Sequence, residues 1–204
     1  MKTIAFITLL IASVTSYAQV RTGITAAGSV ANFAYRDRTG GDPSESIIGF
    51  QAGLMFDAPL GGSISLRPQI LYALKGAKQR IGSAEALINL NYIEVPVQFV
   101  YGLDAGAGKL NLGLGPYLGY AFGGNVTTKI GSSSNKEKMT FGSAQDQLRQ
   151  LDLGLRASVG YELPSGLEIS GFFSPGLLNI SNYTNGAILN TGGGLSLGYW
   201  LGRR

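Results

Sequence analysis

Charged and amide side chains recur inside otherwise apolar stretches: Arg67, Gln69 and Lys75 in one, Glu94 and Gln98 in the next, Asp152, Arg156 and Glu162 in a third. Two carboxylates would serve acid–base hydrolysis if they shared a site. Asp152 and Glu162, however, stand ten positions apart on one extended segment, roughly 30 Å, too far for the geometry a glycosidase uses. Cys and His are absent from the whole chain, which removes thiolate nucleophiles, disulfides, soft-metal sites and imidazole bases. The serines of Ser132-Ser133-Ser134 therefore have no His to activate them. No catalytic, cofactor-binding or metal-binding residue is expected, and no cofactor. What remains for these charges is a polar interior held by ion pairs and hydrogen bonds, or an ion path through Arg67, Glu94 and Arg156.

The elements that position them are β-strands. From Leu151 to Leu163 every odd residue is apolar or aromatic and every even one polar, charged or Gly, the signature of a strand with two opposite faces. Thirteen residues at ~3.4 Å each, tilted by ~45°, climb roughly the thickness of a bilayer's hydrocarbon. Eight such strands are predicted, near 20–29, 47–57, 63–75, 90–102, 109–123, 151–163, 167–178 and 188–201. Short turns are expected at 58–62, 103–108 and 164–166, and longer polar loops at 30–46, 76–89, 124–150 and 179–187. This alternation of short and long connections belongs to an eight-stranded antiparallel up-and-down transmembrane β-barrel. Pro68, Pro96 and Pro116 fall inside strands, and a local bulge or tight bend is expected at each.

Residues 1–18 read as a signal peptide: Lys2, an apolar run from Ile4 to Val14, then Ser16-Tyr17-Ala18 before Gln19. That run is too short to cross a membrane as a helix. The mature domain is 19–204, and its formal charge falls from +4 to +3 with loss of Lys2, too little to argue for nucleic acid. The 31 Gly recur on one strand face, where small residues let a narrow barrel close.

If the apolar face points to lipid, the outward aromatics gather at two levels, as interfacial rings do. Phe56, Tyr101, Tyr161 and Tyr199 fall near the periplasmic ends of their strands, and Phe50, Tyr72, Tyr120 and Phe122 near the outer ends. The other face then puts Arg67, Gln69, Glu94, Gln98, Asp152 and Arg156 into the lumen. Eight strands leave room for side chains but no wide channel, so a polar network that plugs the lumen is expected, with a narrow porin-like channel as the alternative.

Several stretches resemble the Bacteroidetes outer-membrane β-barrel proteins known as the PorT family or outer membrane protein beta-barrel domain. They are Gly49-Phe50-Gln51-Ala52-Gly53-Leu54, Leu66-Arg67-Pro68-Gln69-Ile70-Leu71-Tyr72 with Lys75-Gly76, Asn91-Tyr92-Ile93-Glu94-Val95-Pro96, Gly115-Pro116-Tyr117-Leu118-Gly119-Tyr120, and Leu195-Ser196-Leu197-Gly198-Tyr199. The resemblance implies a small closed barrel in the outer membrane, with prolines tolerated in its strands, and implies little about activity. Such barrels usually finish on an aromatic residue, whereas here Trp200-Leu201 is followed by Gly202-Arg203-Arg204.

The protein is thus expected to be a non-enzymatic cell-envelope protein, integral to the outer membrane. Both termini are expected in the periplasm and the long loops outside. Its expected partners are outer-membrane lipids, with lipopolysaccharide or other envelope proteins as candidates, and no nucleic acid.

Overall fold

Alternation becomes strand over greater lengths than the sequence spacing predicts in the first five expected strands, whereas those expected at 151–163 and 167–178 are shorter. The computed structural model describes residues 20–36, 44–144, 147–182 and 186–201. The export signal expected at 1–18 and the closing Gly202-Arg203-Arg204 lie outside the described residues. Among the described residues nine strands run in chain order: β1 (Arg21–Arg36), β2 (Ile47–Gly61), β3 (Ile64–Ile81), β4 (Ala84–Ala105), β5 (Gly108–Ile130), β6 (Ser133–Lys138), β7 (Leu151–Glu162), β8 (Leu167–Pro175) and β9 (Ala187–Trp200). Eight of them close a ring in the order β4-β3-β2-β1-β9-β8-β7-β5, sealed by the β4–β5 pairing. Every pairing between these strands is antiparallel. Closure leaves the ring no free edge, which is what lets a sheet stand in lipid with its backbone groups satisfied.

The ring has the eight strands expected; the ninth strand, β6, corrects the expected loop 124–150. It pairs with the end of β5, from Ile130 opposite Ser133 to Asn125 opposite Lys138, and is not part of the ring. The expected loop 76–89 is corrected too: β3 and β4 stay paired from Lys75 opposite Leu90 to Ile81 opposite Ala84. Only Gly82 and Ser83 turn the chain, Gly82 at φ +61°, a conformation that costs Gly little. Residues 30–36 likewise belong to β1 rather than to a loop. The segment 76–89 looks like a loop because it carries Lys78, Gln79, Arg80 and Glu85, which stand beyond the apolar band, whereas 30–36 is mostly apolar and buries Phe33. Their period of two persists. Together the ends of β3, β4, β5 and β6 form a four-stranded blade extending about 20 Å past Lys75.

The bulges expected at the prolines do not occur. Register is unchanged through all three, with Pro68 opposite Val97, Pro96 opposite Tyr117 and Pro116 opposite Leu155. Each proline removes one donor from one ladder, and the bonds on either side hold the alignment. The register shifts lie elsewhere, between Pro59 and Gly61 against β3 and between Asn91 and Tyr92 against β5. In the second, Tyr92 faces Ala121 and Asn91 faces Gly123, so Phe122 is the extra residue of a bulge.

Two faces result. Ile24, Leu54, Ile70, Ile93, Leu114, Leu155, Ile169 and Leu197 are exposed on the outside, while their neighbours in sequence point into the ring. At the end away from the short turns the interior is apolar. Phe33, Ala73, Ala77, Leu90 and Ala121 from the wall pack with Leu148 and Ile180 from the connections β6–β7 and β8–β9. Those connections are tied by backbone bonds from Arg149 N–H to Ile180 C=O (2.8 Å) and from Ala121 N–H to Gln150 C=O (2.8 Å). Asn182 adds bonds to the carbonyls of Gly142 (2.7 Å) and Gln147 (3.1 Å).

Candidate functional site: the charged interior and the outward face

Between the short turns and this apolar end, the inward positions carry four cations, Arg21, Arg67, Lys75 and Arg156, and five carboxylates, Asp57, Glu94, Asp152, Glu162 and Glu168, all buried. Removing so many charges from water is tolerable only when they meet partners at hydrogen-bond distance. They do so in two groups.

The first group sits at the short-turn end. The Arg21 guanidinium forks onto Glu162, Nη1 to Oε1 at 2.7 Å and Nη2 to Oε2 at 3.0 Å, and reaches Asp57 at 3.5 Å. Asp57 also accepts from the Ser65 hydroxyl (2.6 Å) and from Arg67 Nε (3.4 Å). Arg67 Nη1 donates to both oxygens of Glu168, at 2.8 and 3.1 Å, and Asn111 adds a third bond there at 3.1 Å. Trp200 projects inward between the two arginines, its ring 4.4 Å from the Arg21 guanidinium carbon and 4.9 Å from that of Arg67. Its indole N–H donates to Glu168 at 3.3 Å. An aromatic ring among guanidinium groups gains cation–π attraction, which strengthens away from water.

The second group lies higher in the ring. Lys75 pairs with Glu94 and, at 3.3 Å, with Asp152. Asp152 further accepts from Asn190 (2.9 Å) and from the Tyr117 hydroxyl (3.2 Å), while Asn190 also donates to Tyr92 (3.1 Å). Arg156 donates to Gln51 (3.0 Å) and Glu94 (3.4 Å) and lies 3.8 Å from the centroid of the Phe172 ring. Gln98 donates to the Ser158 hydroxyl at 2.9 Å. Glycines supply the room for the large rings: a Cβ on Gly154 would come within 2.5 Å of Tyr117.

Between the groups lies a void of about 20 Å³ lined by Arg67, Gln69, Gln98, Arg156 and Glu168 among others. Beneath the first group the interior opens into two adjoining hollows of about 650 and 630 Å³ that share Arg21, Asp104, Lys109 and Leu201. No group of three or more His, Cys, Asp or Glu residues is placed to hold a metal ion among the described residues.

On the outside, Phe50, Tyr101, Tyr120, Phe122 and Tyr199 are exposed, and Phe56, Tyr72 and Tyr161 are partly so. Phe50, Tyr72 and Phe122 form a ring cluster with centroids 5.4 and 6.0 Å apart, and Tyr72 donates its hydroxyl to Asn91 (2.7 Å). At the other end the Tyr161 hydroxyl bonds the β4–β5 turn, donating to Ala105 C=O (2.8 Å) and accepting from Gly108 N–H (3.1 Å). Phe99 and Phe173 are exposed on the same surface, between these two levels.

A family model described as "Outer membrane protein beta-barrel domain" matches residues 16–182. The chain belongs to that family. Solved structures of low identity also match this outer-membrane barrel over most of its length. One is Ail, the attachment invasion locus protein of Yersinia pestis, with 10% identity over 89% of this chain and 98% of that one and a TM-score of 0.48. Another is the neisserial surface protein NspA, with 13% identity over 87% and 96% and a TM-score of 0.49. A third is the N-terminal barrel of Pseudomonas aeruginosa OprF, with 10% identity over 89% and 100% and a TM-score of 0.31. No curated protein matches the chain.

The structure divides the sequence-predicted interior set. Glu94, Asp152 and Arg156 come together with Lys75 in the second group. Arg67 joins the first group instead, so Arg67, Glu94 and Arg156 do not form one chain of contacts. Gln98 braces the wall beside Arg156, bonding its backbone C=O at 3.4 Å, and Gln69 lines the void. Sequence reasoning missed Arg21, Asp57, Glu168, Asn190 and Trp200. The signal was present as odd inward positions continuing from Gln51 to Met55 and Asp57, and even ones from Phe172 back to Glu168.

Proposed function

We propose that this outer-membrane barrel is a small non-enzymatic protein that conducts no solute and works through the strands and loops beyond its apolar band. It is exported by the signal at 1–18 and inserted with the short turns and both termini in the periplasm and the far end outside. The aromatics at two levels support that placement, with Phe56, Tyr101, Tyr161 and Tyr199 at the periplasmic interface and Phe50, Tyr72, Tyr120 and Phe122 at the outer one. The motifs in β2 to β5 and β9 that resemble the PorT family support reading it as a PorT-like barrel.

The single observation that carries the reading is the 20 Å³ void. It is space for about one water molecule between two groups of buried, ion-paired side chains. Ions moving through would have to displace Arg67, Glu168 and Arg156 from partners that water cannot replace there. Above them Leu148 and Ile180 fill the mouth with apolar side chains, a second barrier of a different kind. The test is planar-bilayer recording on refolded protein. A silent membrane is expected, and reproducible stepwise conductance would overturn the reading in favour of a narrow channel.

A further inference from the structure

Up to Phe122 the even residues of β5 point outward, and Leu112, Leu114, Leu118 and Tyr120 are exposed. Continued without interruption, that alternation would present Val126, Thr128 and Ile130 to the outside and extend the apolar surface. The extra residue Phe122 moves the alternation by one, so Asn125, Thr127 and Lys129 take the outward side. The inward side is fixed independently: a Cβ on Gly124 would lie 3.1 Å from Cδ2 of the buried Leu90. The added strand β6 follows in register, with Lys138 opposite Asn125 and Lys136 opposite Thr127. Three lysines therefore share one face, which continues the outward surface past the Phe50–Tyr72–Phe122 cluster.

On the neighbouring strands the same face carries Glu85 opposite Lys129 and Arg80 opposite Glu85. Lys78 and Arg80 are already held by Glu45, at 2.7 and 2.9 Å, and Lys78 also by Glu85 at 3.3 Å. Lys129, Lys136 and Lys138 are exposed and make no ion pair among the described residues. Measured along the strand from Phe122 they stand at about 10 Å (Lys138), 17 Å (Lys136) and 24 Å (Lys129). They form a ladder of charge that starts at head-group depth and rises above it.

We infer that this face binds the phosphates of a phosphorylated glycolipid in the outer leaflet, with successive lysines meeting phosphates on the lipid's base and on its sugar layer. The inference rests on the membrane placement proposed above. A phospholipid confines its phosphate to one shallow layer and would engage the lowest rung alone. A lipid with phosphates at several depths matches all three, and the face runs continuously from the lipid-contacting wall.

Native mass spectrometry of the refolded barrel in detergent tests this, with rough lipopolysaccharide, diphosphoryl lipid A and phosphatidylcholine as probes. The expected order of binding is rough lipopolysaccharide, then lipid A, then phosphatidylcholine. The variant K129Q/K136Q/K138Q should lose roughly fivefold per lysine, on the order of a hundredfold in all, toward rough lipopolysaccharide. Wild-type binding of phosphatidylcholine as strong as that of the phosphorylated glycolipids, or a triple variant that binds like wild type, overturns the inference. Migration of unheated samples on a gel separates the two readings. Folded migration with unaltered binding removes the lipid face alone, whereas a wild-type chain that never reaches the folded form in micelles removes the membrane placement and the lipid face together.

Discussion

Replacing Lys75 by Met should destabilise the barrel by about 3 kcal/mol, because it strands buried negative charge. Lys75 faces Glu94 and Asp152, both fully buried. The second interior group is balanced by two cations and two carboxylates, and without Lys75 a single guanidinium, Arg156, remains, 3.4 Å from Glu94, while Asp152 keeps no cation within ion-pair distance. Breaking one side of a buried pair costs about 3–5 kcal/mol. The lower end applies here, since Asp152 keeps its bonds from Asn190 and Tyr117 and Met fills most of the lysine stem's volume. The unfolding constant should rise roughly a hundredfold. Urea titration of the refolded protein reads this through the fluorescence of Trp200, the sole tryptophan, which lies in the other group and is untouched by the substitution. The companion K75M/D152N removes one charge of each sign and should return to within about 1 kcal/mol of wild type, as neutral replacements of buried pairs commonly do. A K75M protein within about 0.5 kcal/mol of wild type, or a double variant no better than the single, would refute the claim that charge balance holds this interior.

Two further outcomes follow from local geometry. Trp200→Phe deletes the bond to Glu168 and weakens stacking between Arg21 and Arg67; a loss of about 2 kcal/mol is expected, read by circular dichroism in urea, and an unchanged midpoint would contradict it. The strap at Glu45 should be pH-dependent at both ends. Its hydrogen bond with Lys78 holds the Glu45 carboxyl below its ordinary 4.5 and the Lys78 ammonium above its ordinary 10.5. The acid's contribution is therefore present above pH 4.5 and lost as pH falls through the lowered value; the lysine's is present below 10.5 and lost as pH rises through the raised one. Amide exchange at Glu45 and Lys78, which bond each other's backbone at 2.7 and 2.9 Å, should quicken at strongly acidic pH after correction for intrinsic rates. Equal protection there and at neutral pH would refute the tie.

Which side each strand turns inward was legible in its period of two, and Arg67, Glu94, Asp152 and Arg156 all lie on the inward side. Partner choice was not legible. Arg67 meets Glu168, 101 residues away, because the stagger of the closed ring sets which inward residues share a level, and no local pattern states that stagger. The same holds for Trp200, whose place between arginines of β1 and β3 exists only once the ring is shut. Chain polarity misled at 76–89 and 124–138, where charged and small residues marked distance from the apolar band, not loss of strand. At the prolines the local rule was overridden by ladders on both flanks.

Arg21 and Trp200 sit on the first and last strands of the ring, and they meet around Glu162 and Glu168. Arg21 of the first strand neutralises Glu162 and Arg67 neutralises Glu168 across the ring, so pairing those acids and joining the two ends of the sheet are a single event. A curl with its seam still open would leave these anions without counterions away from water, so half-finished forms are disfavoured relative to the shut ring.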